Sequence, residues 1–374
     1  MKNEELLKKI TLVVDCLMNM GGADYDEDKE MSEEEAKRTG LCNRDFGIEE
    51  WDWPQGVGLY GLLKLQDYYK DDRYMSFFQS WFEKNLAIGL PSRNINTTAP
   101  YLTLFSLMDK LDDADGHYEK MCRQQADWLI HGLPKTKEGG FQHVTSAIGD
   151  RNGVILNESE LWIDTLFMAV LFLNKMGIRY DNKEWRQEAV HQALLHIKYL
   201  YEKKDGLFYH GWSFDRNDNF GGVYWCRGNS WFTLGITDFI ADSGDALDPG
   251  VRVFLTDTFR AQAEKLKSLQ SPSGLWSTVL TDSTSYDEVS GSAAIAAGLI
   301  KGIKTGLLDD SYRDCAEKAI RAIADNVGED GIVHNVSAGT AMGYNADHYK
   351  NIIIHPMAYG QSLALIALYE ALEF

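Results

Sequence analysis

A single carboxylate interrupts the most apolar stretch of the chain. Between positions 161 and 173 nearly every residue is apolar, and Asp164 is the one that carries a charge. The periodicity predicts a helix over residues 159–176 that is buried on most sides. A buried carboxylate is costly unless it is paired or faces a cavity, and burial raises its pKa. We therefore expect Asp164 either to donate a proton into a cavity flanked by Trp162 or to form a structural salt bridge.

Other residues able to bind a ligand stand in or near the segments that lead into the predicted buried helices. They combine aromatic rings with amide, imidazole, guanidinium and carboxylate groups. Such a mixture is typical of a pocket for a sugar or another ring-shaped ligand, although tryptophans also simply fill a core. The candidates for substrate binding are Trp53, Gln55, Asn96, His143, Trp162, His210, Trp225, Arg227, Trp231 and Glu288.

Arg227 is the best placed of these residues to bind an anionic substrate. Its guanidinium group matches the geometry of a carboxylate and can bind it through two parallel hydrogen bonds. The alternative is that Arg227 pairs with a nearby acidic side chain at the start of its helix. Trp231 lies one turn further along, where it either offers a stacking face or packs in the core.

Helical periodicity dominates the chain and strand-like alternation is scarce. Helices that are apolar almost all round alternate with helices that carry charges on one face. An inner ring of six buried helices and an outer ring of six half-exposed ones accounts for this pattern, with the N-terminal helix packed on the last one to close the ring. The predicted helices cover residues 3–20, 56–70, 72–88, 98–111, 117–133, 159–176, 182–202, 227–242, 250–269, 291–306, 311–327 and 359–372.

A repeated motif supports this arrangement. Four predicted outer helices are each followed by a glycine, then by apolar residues and often by a histidine. The glycines are Gly139, Gly206, Gly274 and Gly331, which are 67, 68 and 57 residues apart. Self-similarity at this scale indicates a repeat architecture. We expect an all-α (α/α)6 barrel that forms one catalytic domain over residues 1–374, with the loops that enter the inner helices on one rim.

Composition limits the possible partners. The chain of 374 residues has a net charge of −19, which disfavours nucleic acid and anionic membranes. Its five cysteines are scattered without a CxxC pair, and no cluster has the spacing of metal ligands, so we expect neither a metal nor a cofactor. The first residues predict an amphipathic helix and not a signal peptide. We expect a cytoplasmic protein, either a monomer or a homodimer.

Several motifs in this order resemble those of the unsaturated rhamnogalacturonyl hydrolases of glycoside hydrolase family 105, relatives of the family 88 unsaturated glucuronyl hydrolases. They are WDWPQGVGLYGL, RNINTTAPYLTL, GGFQH, ELWIDTLFM, GLFYHGW, WCRGNSWF, GLW and YDEVSGSAA. The resemblance runs from about Asp45 to the C-terminus and implies the six-hairpin barrel. The first forty residues fit poorly, and ADYDEDKEMSEEEAKRTG is predicted to be a loop specific to this branch.

The resemblance also implies roles for individual residues. The W-x-D motif falls on Asp164, which becomes the general acid/base. His143 and His210 match substrate-contacting histidines, and Trp53 matches an aromatic stacking position. The W-x-R-x-x-x-W motif falls on Trp225, Arg227 and Trp231. One position departs from the pattern, because Asn96 stands where some members carry a second aspartate.

The substrate that the resemblance implies is an oligosaccharide with a 4,5-unsaturated uronic acid at its non-reducing end, derived from rhamnogalacturonan in pectin. Ordinary glycosidases need two carboxylates, and the sequence offers no convincing pair among Glu160, Asp164 and Glu288. The C4=C5 bond of an unsaturated uronide is a vinyl ether, so one carboxyl group suffices: it protonates C4 and then deprotonates the water that adds at C5.

Three other functions remain open at this level. A sugar 2-epimerase or isomerase uses the same barrel with paired histidines, for which His143, His210, His334 and His355 are available. An unsaturated glucuronyl hydrolase would act on a different polysaccharide. A noncatalytic glycan-binding protein has no need to bury a carboxylate such as Asp164, which argues against that class.

Overall fold

The computed structural model describes residues 2–21, 34, 41, 43–113, 115–339 and 341–374. Nearly all of the predicted branch-specific loop, residues 23–40, lies outside this described part. The helices are, in chain order, α1 (Asn3–Met18), α2 (Trp53–Tyr69), α3 (Met75–Ile88), α4 (Ala99–Leu107), α5 (His117–His131), α6 (Leu171–Arg179), α7 (Lys183–Leu200), α8 (Cys226–Ser243), α9 (Pro249–Leu269), α10 (Val289–Lys304), α11 (Arg313–Asp325), α12 (Ala346–Lys350) and α13 (Ala358–Glu370).

Six of these helices form a closed inner ring. Helix α2 packs on α4, α4 on α6, α6 on α8, α8 on α10, α10 on α13, and α13 returns to α2. The outer helices cover this ring: α5 and α7 pack on α6, α9 on α8, α11 on α10, and α1 on α13. The predicted (α/α)6 barrel is therefore confirmed, including the closure of the ring by the N-terminal helix. The short helix α12 was not predicted.

The inner helices approach closely where small residues face each other. Helix α10 consists largely of alanine, glycine and serine. A Cβ atom added at Gly298 would lie 2.5 Å from the carbonyl oxygen of Thr233, and one at Gly291 would lie 2.8 Å from the amide nitrogen of Arg227. Side chains at these two positions would push α8 and α10 apart. The glycines thus fix the distance between α10 and α8, the helix that carries both Arg227 and Trp231.

Short strands lie in the segments that connect the helices, several of them on the rim where the chain enters the inner helices. They are β1 (Thr145–Ala147), β2 (Asp150–Ile155), β3 (Glu160–Trp162), β4 (Tyr201–Glu202), β5 (Leu207–Phe208), β6 (Gly211–Ser213), β7 (Trp276–Ser277) and β8 (Asp287–Glu288). Each belongs to a two-stranded antiparallel pair: β1 with β2, β3 with β6, β4 with β5 and β7 with β8. The β3–β6 pair joins two segments about fifty residues apart in sequence and sets Trp162 opposite Gly211.

The helix predicted over residues 159–176 begins later than expected. Residues 160–162 form β3, and a π-helical turn, Leu166–Val170, precedes α6. Strand pairing prevails at the start because the backbone amide of Ile163 donates to the carbonyl of His210 at 2.9 Å. The prediction that Asp164 lies inside a helix is therefore wrong: it occupies the turn between β3 and the π-helix. Single π-helical turns are frequent at functional sites.

Within the described residues, no helix is both long enough and apolar enough to cross a bilayer.

Candidate active site

A cavity of about 270 Å³ opens on the rim of the barrel. Its wall comes from the segment before α2, the turn before α4, the β1–β2 hairpin, β3 and the segment before α12. Three of the predicted binding residues line it: Trp53, Asn96 and Trp162. The wall combines aromatic faces with short polar side chains, which is the composition of a sugar pocket.

Asp164 lies directly behind this wall. Its side chain is only 5% exposed, and Trp162 of the wall is two residues before it. The indole Nε1 of Trp231 donates a hydrogen bond of 3.0 Å to Oδ1 of Asp164. The other oxygen, Oδ2, lies 3.2 Å from Nε2 of His210, yet neither of these two atoms makes an aligned hydrogen bond with any described residue. One carboxylate oxygen is thus held by the indole of Trp231, and the other faces the imidazole of His210.

The pKa of Asp164 moves in the opposite direction from the one predicted. Burial alone opposes ionisation, but the contact with His210 outweighs it and holds the pKa of Asp164 below its ordinary value. The prediction of a raised pKa is wrong because it considered the apolar neighbours in sequence and not the partner that β6 brings alongside. Asp164 of the free protein is therefore a carboxylate at neutral pH.

His210 occupies the centre of a chain of contacts. Its Nδ1 lies 2.7 Å from the hydroxyl of Tyr349, and its ring packs against Trp225 with centroids 4.6 Å apart. Residue 210 precedes β6, so the pairing of β3 with β6 delivers His210 to Asp164. Tyr349 lies on α12, and its position in sequence gave no sign of this contact.

His143 forms the opposite side of the site. Its ring stacks on Trp162 with centroids 4.4 Å apart and an angle of 15° between planes, and its Nδ1 lies 2.8 Å from the hydroxyl of Thr165. Burial lowers the pKa of His143 to about 3, so this imidazole is neutral at neutral pH. It can therefore orient Trp162 or a sugar hydroxyl, but it cannot supply a positive charge.

The aromatic floor is continuous. Trp53 stacks on Tyr359 with centroids 4.6 Å apart and meets the edge of Trp231 at 6.4 Å. Trp231 is fully buried and also packs on Phe167. Of the two interpretations of Trp231, the structure favours core packing combined with a hydrogen bond to Asp164. Trp53 is the ring that reaches the cavity.

The expected role of Arg227 as a carboxylate clamp is not supported by its position. Its side chain is completely buried and does not line the cavity. Nη1 donates to the carbonyl of Ser337 at 2.7 Å and to the hydroxyl of Ser290 at 3.1 Å, and Nη2 donates to the carbonyl of Gly339. The guanidinium also covers the ring of Trp225 at 4.5 Å. Arg227 fastens the segment between α11 and α12 to the barrel, and the prediction that it opens on the cup is corrected.

Three further predicted binding residues are also buried in structural roles. Glu288 caps α10, accepting from the amides of Ser290 at 2.9 Å and Gly291 at 2.6 Å. The amide nitrogen of Gln55 donates to the carbonyl of Gly47 at 2.9 Å. Trp225 is fully buried and supports the ring of His210. These positions are corrected as direct contacts, because residue type alone does not show whether a side chain faces the cavity or the core.

Glu160 is one of the acidic residues that line the cavity. The sequence alone makes it a weaker candidate for the catalytic acid than Asp164. Oε2 of Glu160 accepts from Nε1 of Trp162 at 2.8 Å. Burial raises the pKa of Glu160. Of the carboxyl groups at the cavity, Glu160 has a raised pKa and Asp164 a lowered one, a pattern that marks candidate acids and bases.

The cavity is acidic within the described residues. Asp45, Asp52 and Glu160 line it, and none of the described lining residues is basic. Arg216 adjoins its edge: the guanidinium donates to the hydroxyl of Tyr344 at 3.0 Å, and Tyr344 lines the cavity. The hydrogen-bond donors that the described wall offers to a ligand are therefore neutral. Among the described residues no cluster of three potential ligands could hold a metal ion.

Comparison with known proteins gives the family of the chain. The chain matches the family described as Glycosyl Hydrolase Family 88 over residues 28–374. It is 32% identical over 335 residues to the unsaturated rhamnogalacturonyl hydrolase YesR of Bacillus subtilis, covering 89% of this chain and 93% of that protein. An unsaturated 3S-rhamnoglycuronyl hydrolase of Formosa agariphila is 32% identical over 204 residues, about half of each chain. A crystal structure described as a possible GH105 member from Salmonella enterica has a TM-score of 0.90 at 34% identity, covering 100% of this chain and 95% of that one.

Proposed function

The chain belongs to glycosyl hydrolase family 88 and is a glycoside hydrolase, and from that premise we propose that it removes a terminal 4,5-unsaturated uronyl residue from an oligosaccharide, with Asp164 as its acid/base. The single observation that carries the proposal is the asymmetric carboxylate of Asp164. Trp231 holds Oδ1, whereas Oδ2 faces Nε2 of His210 at 3.2 Å behind the cavity wall. One oxygen is thus fixed by an indole, and the other is the one placed beside a group that can share a proton.

The reaction needs one proton to leave Asp164 and one to return. Protonated Asp164 donates its proton to C4 of the vinyl ether, which leaves positive charge shared between C5 and the ring oxygen. The carboxylate then removes a proton from water as the water oxygen bonds to C5. The resulting hemiketal opens to a ketone at C5, and the hemiacetal at C1 releases the aglycone alcohol. Asp164 ends protonated, as it began.

The lowered pKa of Asp164 in the free protein sets a condition on this sequence. The carboxylate must gain a proton when substrate binds. An unsaturated uronide brings its own negative charge and displaces water, and both changes disfavour the ionised form of a neighbouring carboxyl group. Substrate binding is therefore coupled to proton uptake by Asp164. The scheme needs no second carboxylate, so Asn96 in the cavity wall binds or orients substrate without carrying charge.

Neutral donors provide the contacts for the uronate. Thr145 and Ser146 line the cavity beside Asn96, and their hydroxyl groups are such donors. Trp53 and Trp162 supply the faces against which a sugar ring packs. Arg227 is not used in this binding, because its side chain does not line the cavity and its two Nη groups donate to backbone carbonyls and the hydroxyl of Ser290.

The substrate class follows from the relatives. The two curated hydrolases named above act, by their names, on uronyl residues joined to rhamnose. The same linkage is the expected substrate here, namely an unsaturated galacturonyl unit on a rhamnose from rhamnogalacturonan. One barrel supplies all of the groups used in the reaction, so a single catalytic domain in one chain suffices.

The test compares disaccharides produced by polysaccharide lyases. The enzyme is incubated with unsaturated galacturonyl-rhamnose, with an unsaturated glucuronyl disaccharide and with the saturated counterpart of the first. Loss of ultraviolet absorbance with the first alone, together with new reducing ends, is the expected result. In D2O, NMR should show deuterium at C4 of the released keto acid. Cleavage of the saturated disaccharide, or conversion of a free sugar without new reducing ends, would overturn the proposal and favour an ordinary glycosidase or an epimerase.

A further inference from the structure

Tyr349 connects the segment that lines the cavity to the histidine beside Asp164. It lies on α12, is 1% exposed and places its hydroxyl 2.7 Å from Nδ1 of His210. The amide of Gly343 donates to the same hydroxyl at 3.2 Å. Gly343 lies between Met342 and Tyr344, both of which line the cavity. The hydroxyl oxygen of Tyr349 therefore already accepts one hydrogen bond, and the hydroxyl has one proton of its own to donate.

The tautomer of His210 depends on whether the hydroxyl of Tyr349 donates this proton to Nδ1 of His210. We infer that Tyr349 is a positioning residue that donates to Nδ1 of His210 and so holds the imidazole in the form protonated at Nε2, which faces Oδ2 of Asp164. In this form His210 acts as a hydrogen-bond donor toward Asp164. It stabilises the carboxylate without competing with it for the reacting proton.

The opposite allocation is disfavoured on two counts. If Nδ1 carried the hydrogen, the tyrosine proton would have to turn to the sulfur of Met342 at 3.9 Å, and thioether sulfur is a weak acceptor. The lone pair of Nε2 would then face a carboxylate oxygen 3.2 Å away, which is repulsive. Burial also raises the pKa of Tyr349, so its hydroxyl keeps its proton and remains a donor.

Other titratable groups do not reverse this assignment. His143, on the segment before β1, is neutral at neutral pH because burial lowers its pKa. Glu160 of β3 also faces the site, and burial raises its pKa. The tautomer of His210 is thus set by Tyr349 on one side and Asp164 on the other. A buried acid or base whose partner is fixed by a third residue is a recurring device in catalysis.

The test is the variant Tyr349→Phe, which removes the hydroxyl and keeps the ring. Proton-detected NMR of protein labelled with 15N-histidine reports which ring nitrogen carries hydrogen, and loss of one signal in His210→Gln assigns the resonance. The wild-type protein should show His210 protonated at Nε2, and Tyr349→Phe should populate the form protonated at Nδ1. The matched control is Tyr286→Phe, which removes a hydroxyl that contacts the carbonyl of Tyr349 at 3.4 Å and leaves His210 untouched.

The kinetic part rests on the proposed function, whereas the NMR part needs no substrate, so the two can fail separately. With an unsaturated disaccharide, kcat of Tyr349→Phe should fall about tenfold, a share of the 10²–10⁴-fold that an acid/base group contributes, while KM changes less than about twofold. Tyr286→Phe should retain the wild-type tautomer and kcat. Protonation at Nδ1 in the wild type, or an unchanged tautomer with full kcat in Tyr349→Phe, would overturn the inference.

Discussion

Replacing Trp231 by phenylalanine removes one hydrogen bond to Asp164 and keeps an aromatic ring in its place. The indole donor lies 3.0 Å from Oδ1 and is fully buried, so water does not readily replace it. A hydrogen bond to a charged group contributes about 1.5–3 kcal/mol. This contribution belongs to the ionised form of Asp164, and its loss favours the protonated form.

The consequence for activity has a definite sign. Protonated Asp164 is the form that donates to C4, so turnover falls as the pH rises through the pKa of Asp164 in the complex. Trp231→Phe raises that pKa and should displace the alkaline limb of the kcat profile to higher pH. At about 1.4 kcal/mol per pH unit, the displacement should be about one to two pH units. The assay is kcat against pH at saturating unsaturated disaccharide.

The same substitution lowers stability. The lost hydrogen bond and the smaller ring together cost about 3–4 kcal/mol. An unfolding entropy of about 2.1 cal/mol/K per residue over 374 residues converts this loss into a Tm lower by about 4–5 °C. A displaced limb could therefore be confused with partial unfolding, and a control of equal severity is needed.

Trp276→Phe is that control. Trp276 is also fully buried, and its Nε1 donates to the carbonyl of Leu266 at 2.7 Å, far from Asp164 in the hydrogen-bond network. The Tm of Trp276→Phe should fall by a similar number of degrees, and its profile of kcat against pH should remain that of the wild type. If the profiles of Trp231→Phe and Trp276→Phe coincide, Trp231 does not set the ionisation of the catalytic group and the reasoning fails.

Two further predictions concern charge. In α8, burial opposes the ionisation of Asp238, but Lys301 and Lys64 outweigh it and hold the pKa of Asp238 well below its ordinary value. Asp238→Asn should therefore cost about 3–5 kcal/mol of unfolding free energy at neutral pH, and denaturant titrations should show this loss shrinking as the pH falls below about 3.9, the unfolded value. The second prediction is that the protein takes up about one proton per site when it binds the saturated disaccharide. Calorimetry in buffers of different ionisation enthalpy measures this uptake, and Asp164→Asn should abolish it. Uptake that persists in Asp164→Asn would assign the proton to another group.

The architecture could be predicted because it depends on patterns that repeat along the chain. Helices that are apolar on all faces alternate with helices that carry charges on one face. This alternation was enough to predict which helices form the inner and outer rings and that α1 packs on the last inner helix. The short strands escaped prediction because two or three residues carry no usable periodicity. Of these, the β3–β6 pair matters most, since it replaces the first turn of the predicted helix and brings His210 to Asp164.

The sequence predicted which residues come together at the site better than it predicted the direction of their side chains. Asp164, His143, His210, Trp162 and Trp231 do come together, as their places before or at the start of inner helices indicate. The direction of a side chain depends instead on partners distant in sequence. Arg227 does not line the cavity, because the carbonyls of residues 337 and 339, more than a hundred positions later, accept its hydrogen bonds.

The pKa of Asp164 illustrates the same limit. The apolar residues around it in sequence argue for a raised value, and burial does act in that direction. The deciding contact comes from His210, which only the folded chain supplies. Tyr349 was missed for the same reason, since nothing about its sequence neighbourhood distinguishes it from other tyrosines.

The role of Asp164 is tested most directly by kcat of Asp164→Asn on the unsaturated disaccharide, measured beside Glu160→Gln. Asparagine keeps an oxygen for the indole of Trp231 and removes the proton that reacts. We expect kcat of Asp164→Asn to fall by about a hundredfold or more while substrate still binds, and kcat of Glu160→Gln to fall far less. Full turnover in Asp164→Asn, or a collapse in Glu160→Gln alone, would contradict this expectation and assign the acid to Glu160.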